Sequence, residues 1–192
     1  MSVNVERVRR LGLFGIVTPL VGFSLILLAI STAPWFSWTG NALSDLGVSG
    51  LTATIFNGGL IATALCMMAF SIGVWELTEG STLGRAGSGA LFLAAFFLLG
   101  IGVFPETVEP HHLIFSVAFF VALPVSMFVL SAYMIRSGMR DLGYLSVVAG
   151  IVAALVWALE WDGVAIPEAV SALMAAVMSV ILGYRMRKWG KA

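Results

Sequence analysis

Apolar positions run in six long stretches along the chain, at 11–33, 51–75, 86–104, 112–135, 142–161 and 167–184. A helix needs roughly 20 such residues to cross the ~30 Å hydrocarbon core of a bilayer. The polar positions collect in short connections between the stretches, and almost nothing is left over for a domain outside the membrane. The pattern predicts an all-α, polytopic membrane protein, a six-helix transmembrane bundle forming a single domain over residues 1–192. The first stretch follows a basic start and is longer than the roughly 7–15 apolar residues of a secretory signal, so it is expected to stay as the first helix.

Composition agrees. Sixty per cent of residues are apolar, 10% are charged, and the mean hydropathy is +1.03, where a soluble domain carries about 25% charged residues. The formal net charge is zero, so no bulk field steers nucleic acid to the chain. Membrane lipids are the expected partners. The single Cys66 lies between Leu65 and Met67, where it packs as a small apolar residue and cannot form an internal disulfide.

Charge sets the expected orientation. Arg7, Arg9 and Arg10 precede the first stretch, Arg85 lies between the second and third, and Arg136 and Arg140 between the fourth and fifth. Arg185, Arg187, Lys188 and Lys191 follow the sixth, while connections 34–50, 105–111 and 162–166 hold no Lys or Arg. Basic residues in short loops stay cytoplasmic, so both termini are expected inside a cell membrane. Trp35, Trp38, Trp157 and Trp161 then mark the outer boundary and Trp75 and Trp189 the inner one, where amphipathic rings favour the headgroup level.

Helices in lipid associate through close packing of small residues. Ala172 and Ala176, with Ala175, Ser179 and Gly183 beside them, form such a stripe in the sixth stretch; Gly150, Ala154 and Ala158 repeat it in the fifth, and Gly58, Gly59 and Thr63 in the second. They are read as bundle packing, and they leave a homo-oligomer open. Pro19 and Pro124 fall inside helices, where each removes a backbone hydrogen bond.

Packing does not explain the polar residues of the outer connections. Read as a helix, segment 38–50 puts Asn41, Ser44 and Asp45 on one face, which Ser49 and Thr52 extend into the second stretch. Capping accounts for one or two of these residues, since Asn or Ser can satisfy free N–H groups and Asp complements the helix dipole. An ionisable group at membrane depth is by default a functional candidate, which singles out Asp45. Segment 100–112 crowds Glu106, Glu109, His111 and His112 into one short turn between Pro105 and His112. Imidazole beside carboxylate suits proton transfer or a divalent metal such as zinc, and the sequence leaves the cofactor and any metal unknown. His112 is followed one turn later by Ser116, a polar pair toward the bundle. A third cluster holds Glu160, Asp162 and Glu168; Glu168, directly after Pro167, is read as a first-turn acid on the dipole, and Glu160 as the better candidate.

The segments Asn41-Ala-Leu-Ser-Asp-Leu-Gly47, Asn57-Gly-Gly59 and Phe104-Pro-Glu…His-His112 resemble the DUF998 family of small six-helix prokaryotic membrane proteins of unassigned function. That family is distantly similar to the Frag1/DRAM/Sfk1 group of eukaryotic membrane proteins, some of which act in lipid remodelling or lipid asymmetry. Ser44, Asp45 and Gly47 match its first motif, and Phe104, Pro105 and one of the two histidines its second. The alkaline ceramidases and their relatives are similar in pairing Ser and Asp with His ligands in a helical bundle. This chain departs from them, with two adjacent histidines only and no His-x-x-x-His pair in the sixth stretch.

Three functions compete. The favoured one is lipid handling, binding or modifying a lipid headgroup at an outer acidic and histidine site. If it is catalytic, Asp45 or Glu106 is the expected base, His112 a ligand or acid, and Ser44 their partner. Asn41, Asn57, His111 and Glu160 are then expected to bind the ligand. The alternatives are a proton- or cation-coupled transporter or channel, and a non-catalytic membrane scaffold.

Overall fold

The computed structural model describes residues 3–190; Lys191 of the basic tail lies outside them. Six helices follow one another: α1 (Val5–Ser31), α2 (Gly50–Leu77), α3 (Thr82–Val103), α4 (His111–Arg136), α5 (Arg140–Leu155) and α6 (Ala165–Lys188). Each, α5 counted through Ala158, is long and apolar enough to cross a bilayer, so the chain is a multi-pass membrane protein. Among the described residues there is no strand.

Helix ends depart from the apolar runs where local hydrogen bonding decides them. α1 begins six residues ahead of its apolar run because the Asn4 side chain accepts from the Arg7 N–H at 3.0 Å and caps the extra turns. α5 stops six residues short of its run and tightens into a 3-10 turn at Val156–Ala158. There the Val156 carbonyl accepts the indole N–H of Trp161 at 2.8 Å, so the last apolar residues fold back across the helix end.

The helices form a ring. Each packs on its neighbour in sequence, and α6 closes back onto α1. That closing seam is tight: a Cβ added at Gly183 would sit 2.6 Å from the Gly12 carbonyl oxygen and 3.0 Å from the Gly15 Cα. Only glycine lets the two backbones meet there. Large apolar side chains such as Leu20, Leu51, Leu113, Ile114 and Leu155 point outward, more than half exposed, as a lipid-facing surface requires.

A ring with no central helix leaves its axis to side chains alone. Ala172, Ala175 and Ala176 of α6, expected to serve packing, line an internal cavity instead, and their small size keeps the space open. Thr63 lines it too, and Gly58 has no neighbour within 4 Å of a Cβ position. Gly150 does pack as expected, against the Phe128 ring.

Charge divides the two ends of the bundle. The three ion pairs among the described residues, Arg7–Glu76, Arg10–Glu6 and Arg185–Asp141, all lie at the end that holds the basic residues. The opposite, acidic end carries the connections α1–α2, α3–α4 and α5–α6.

Candidate functional site

The α1–α2 connection is not the helix its polar spacing predicts. Only Ser44–Gly47 coils, as a single 3-10 turn, and Asn41 lies outside it. Side chains hold the rest of the segment. Asn41 Nδ2 donates to Asp45 Oδ2 at 2.6 Å, and the Ala42 N–H donates to the same oxygen at 3.1 Å. The Ser37 N–H in turn donates to Asn41 Oδ1 at 2.9 Å. Partly buried irregular backbone has to find its partners within the protein, and the Ser37 and Ala42 N–H groups find them here.

Two other elements grip the same segment. Asn57 Nδ2 of α2 donates to the Gly47 carbonyl at 2.9 Å, and a Cβ at Gly47 would strike that amide. The α5–α6 connection arrives from the far end of the sequence: the Ala165 N–H donates to the Asn41 carbonyl at 2.9 Å. Gly163 permits that contact, since a Cβ there would lie 2.5 Å from the Asn41 nitrogen. The Leu43 N–H donates to Glu168 Oε2 at 2.6 Å. Ser49 is exposed, and the Thr52 hydroxyl bonds Thr32 at 2.9 Å, a strut between α1 and α2 rather than a continuation of the site.

The α3–α4 connection brings the second motif. The Phe104 ring stacks between His111 and Phe115, at centroid distances of 5.3 and 5.4 Å. His112 is buried, with Nδ1 at 2.8 Å from the Phe104 carbonyl, an acceptor only, so Nδ1 carries the hydrogen. Nε2 lies 3.3 Å from the Ser116 hydroxyl. Both ring nitrogens are therefore engaged, and neither is bonded to Ser44 or Asp45.

Glu106 faces Asp45. Its Oε2 is buried and has no hydrogen-bond donor. Two ionised carboxylates are two acceptors, and only a proton held between them makes a bond. Burial pushes the Glu106 carboxyl above the usual carboxylate range. The charge of Asp45 and the bond to it add to the rise, His112 opposes it, and Glu109 reinforces it.

The structure thus brings together Asp45, Glu106 and Glu168, with His112 beside Glu106 and Asn41 bonded to Asp45; Ser44 lines the cavity with Glu168, and Asn57 holds the Gly47 carbonyl instead of a carboxyl. His111 stays exposed on the Phe104 ring, and Glu160 and Asp162 are exposed on the α5–α6 connection, outside the cluster. Glu168 exchanges roles with Glu160. It does sit in the first turn of α6, but its carboxyl crosses to the α1–α2 connection. The signal for it lay in the other segment: buried irregular backbone such as Leu43 needs an acceptor that its own neighbours do not provide. No three His, Cys, Asp or Glu side chains among the described residues are grouped as a shared metal ion would require.

Below this cluster the axial cavity opens, with Ser44, Ser116 and Glu168 at its mouth. Its volume is about 160 Å³, similar to the ~150 Å³ apolar cavity that stays dry and admits benzene. Along α6 the lining runs from Glu168 to Leu182, about 21 Å at 1.5 Å per residue. Spread over that length, the space is a thread rather than a chamber. Its walls are Leu, Ile, Phe, Met and Ala, and the hydroxyls among them are turned away. Thr18, Thr63, Ser126 and Ser179 donate to carbonyls of their own helices at 2.6–3.0 Å, and Ser146 to the Met127 carbonyl of α4.

A family model described as "Protein of unknown function (DUF998)" matches residues 16–185, and the chain belongs to that family. No curated protein and no solved structure matches it significantly.

Proposed function

We propose that this DUF998 protein is a lipid-binding membrane protein that draws one acyl chain into its axial cavity and holds the polar head at the carboxyl cluster. The observation that carries the reading is the cavity's shape and lining: narrow, apolar and open at a polar mouth. Its length of about 21 Å exceeds the ~15 Å depth of one leaflet's hydrocarbon, so the thread is long enough for an acyl chain, whose entry has to push the flexible Leu, Met and Phe lining apart to widen the resting volume of about 160 Å³. The head then meets Asp45, Glu106 and Glu168, three carboxyls without an ion-pair partner among the described residues. In this reading the mouth lies on the outer side of the cell membrane with both termini cytoplasmic, an orientation that the sorting of basic residues supports.

A proton or cation path fits less well. Below Glu168 the lining holds no ionisable residue, and its hydroxyls already donate to backbone carbonyls, so nothing there replaces an ion's hydration.

Native mass spectrometry of the detergent-purified protein tests the reading. One bound lipid per chain is expected in the parent, and loss of it in Ala176→Phe, which fills the thread at mid-depth. An unchanged thermal midpoint for that variant shows that the bundle is intact. A parent free of lipid, or a filled variant that keeps it, overturns the proposal.

A further inference from the structure

The wall of the cavity is not uniform. α1, α2, α3, α4 and α6 each contribute three or more lining residues, but α5 contributes Ser146 alone, near the basic end. Its small residues Ala149, Gly150 and Ala153 are buried in the bundle but do not line the cavity. α5 ends as an α-helix at Leu155 while α4 and α6 continue past it to the acidic end. Beside the mouth, then, only the 3-10 turn Val156–Ala158 stands between α4 and α6.

One side chain fills the gap. Trp157, in the 3-10 turn that follows α5, lays its ring against Phe120 of α4 with centroids 4.7 Å apart. Its indole N–H donates to Ser171 Oγ of α6 at 3.0 Å, and the same hydroxyl donates back to the Ala153 carbonyl of α5, also at 3.0 Å. Phe120 lines the cavity, and so does Ala172, the residue after Ser171. Trp157 itself is 36% exposed on the outer surface. It therefore has the lipid phase on one side and the cavity wall on the other.

We propose that the space between α4 and α6 is a lateral portal through which an acyl chain passes from the bilayer into the cavity, and that the Trp157 ring closes it. This rests on the lipid-binding reading and adds the route. A chain entering tail-first at the polar mouth would have to leave the hydrocarbon and cross the headgroup layer, whereas a sideways route keeps it in apolar surroundings throughout, with the head following at the acidic mouth. Opening needs only one ring stack and one hydrogen bond to break, with no helix displaced. The Ser171–Ala153 bond keeps α5 and α6 together while the ring swings out. Trp161, bonded to the Val156 carbonyl, holds the 3-10 turn that acts as the ring's hinge.

The test places a thiol inside the wall. In a Cys66→Ala background, Ala172→Cys puts a single cysteine in the cavity behind the ring. Protein in phosphatidylcholine vesicles is treated with a maleimide carried on a hexadecyl chain, or with a charged, water-soluble maleimide. Removing the ring with Trp157→Ala is expected to raise labelling by the hexadecyl reagent roughly tenfold, the size expected from losing a ring stack and a hydrogen bond of ordinary strength. Labelling by the charged reagent is expected to stay low. Ser171→Ala removes the bond but keeps the ring and should give a smaller rise; Trp157→Phe should return most of the parent rate. An unchanged hexadecyl rate in Trp157→Ala overturns the portal and leaves the lipid-binding reading standing if the parent is labelled. An equal rise with both reagents also overturns it, because the opening then leads to water. Failure of the hexadecyl reagent to label the Ala172→Cys protein, with or without the Trp157 ring, sinks the chain-filled cavity itself.

Discussion

Replacing Glu106 by Gln tests the carboxyl cluster most directly. The native Oε2 is a buried acceptor facing another acceptor, Asp45, with no donor in reach. An orphaned buried polar atom costs about 1–3 kcal/mol. Because the rest of the Glu106 side chain is partly exposed, solvent screening puts the value at the low end, about 1 kcal/mol. Glutamine offers an amide N–H to Asp45 whatever the pH, standing in for the proton that the two acids otherwise have to share. The sign follows from the raised pKa. A carboxyl held above its usual range contributes its full favourable share below the ordinary glutamate range and loses it as pH rises through the folded value. The parent is therefore destabilised with rising pH at this site, and Glu106→Gln is not. In acid the two proteins should melt together. Above neutrality the variant should melt higher by roughly 2–4 °C, the shift that ~1 kcal/mol produces in a chain of this size. Tryptophan fluorescence melts of detergent-solubilised protein from pH 4 to pH 9 read the difference directly. Asp45, Glu109, His112 and Glu168, the other groups around Glu106, are common to both proteins, so the difference reads the Glu106 carboxyl together with its effect on these neighbours. A gap that does not change with pH, or a variant that melts lower above neutrality, refutes the shared proton.

Glu168→Ala leaves the buried Leu43 N–H without its acceptor, at a cost of about 1–3 kcal/mol; faster proteolysis of segment 34–49 than in Glu168→Gln, which keeps an acceptor oxygen, is the expected result. Gly183→Ala forces a Cβ onto the Gly12 carbonyl and should cost about 1–3 kcal/mol, read as a lower thermal midpoint, with Gly58→Ala as the silent control in open space.

Much of the fold was legible because lipid imposes a simple grammar. Apolar runs of membrane length give the helices, and the sorting of basic residues separates one end of the bundle from the other. What periodicity does not carry is the conformation of a segment whose partners are elsewhere in the chain. Asn41, Ser44 and Asp45 looked like one helical face by spacing, yet Asn41 folds back onto Asp45 and takes its backbone partner from Ala165. His112 with Ser116 was legible as an inward pair, one turn apart on one helix. Glu168 was misjudged for the opposite reason. Its position after Pro167 has a sufficient local explanation, and its partner Leu43 is 125 residues away. The small residues of α6 were ambiguous in kind: a short side chain brings helices together at Gly183 and holds a space open at Ala172 and Ala176.

The contacts Ala165–Asn41, Leu43–Glu168 and Gly183–Gly12 have a consequence for biogenesis. They join α1 and the α1–α2 connection to α6, the last helix of a chain that emerges from the ribosome in order, at about 5–20 residues per second. Until α6 is inserted, the ring is an open arc: the Leu43 N–H lacks its acceptor and the glycine face of α1 meets lipid. The cavity and its mouth exist only once the final helix has clasped the arc shut. A chain stalled or truncated before α6 thus exposes two unmet backbone groups, the Leu43 N–H and the Asn41 carbonyl, together with a bare glycine seam on α1.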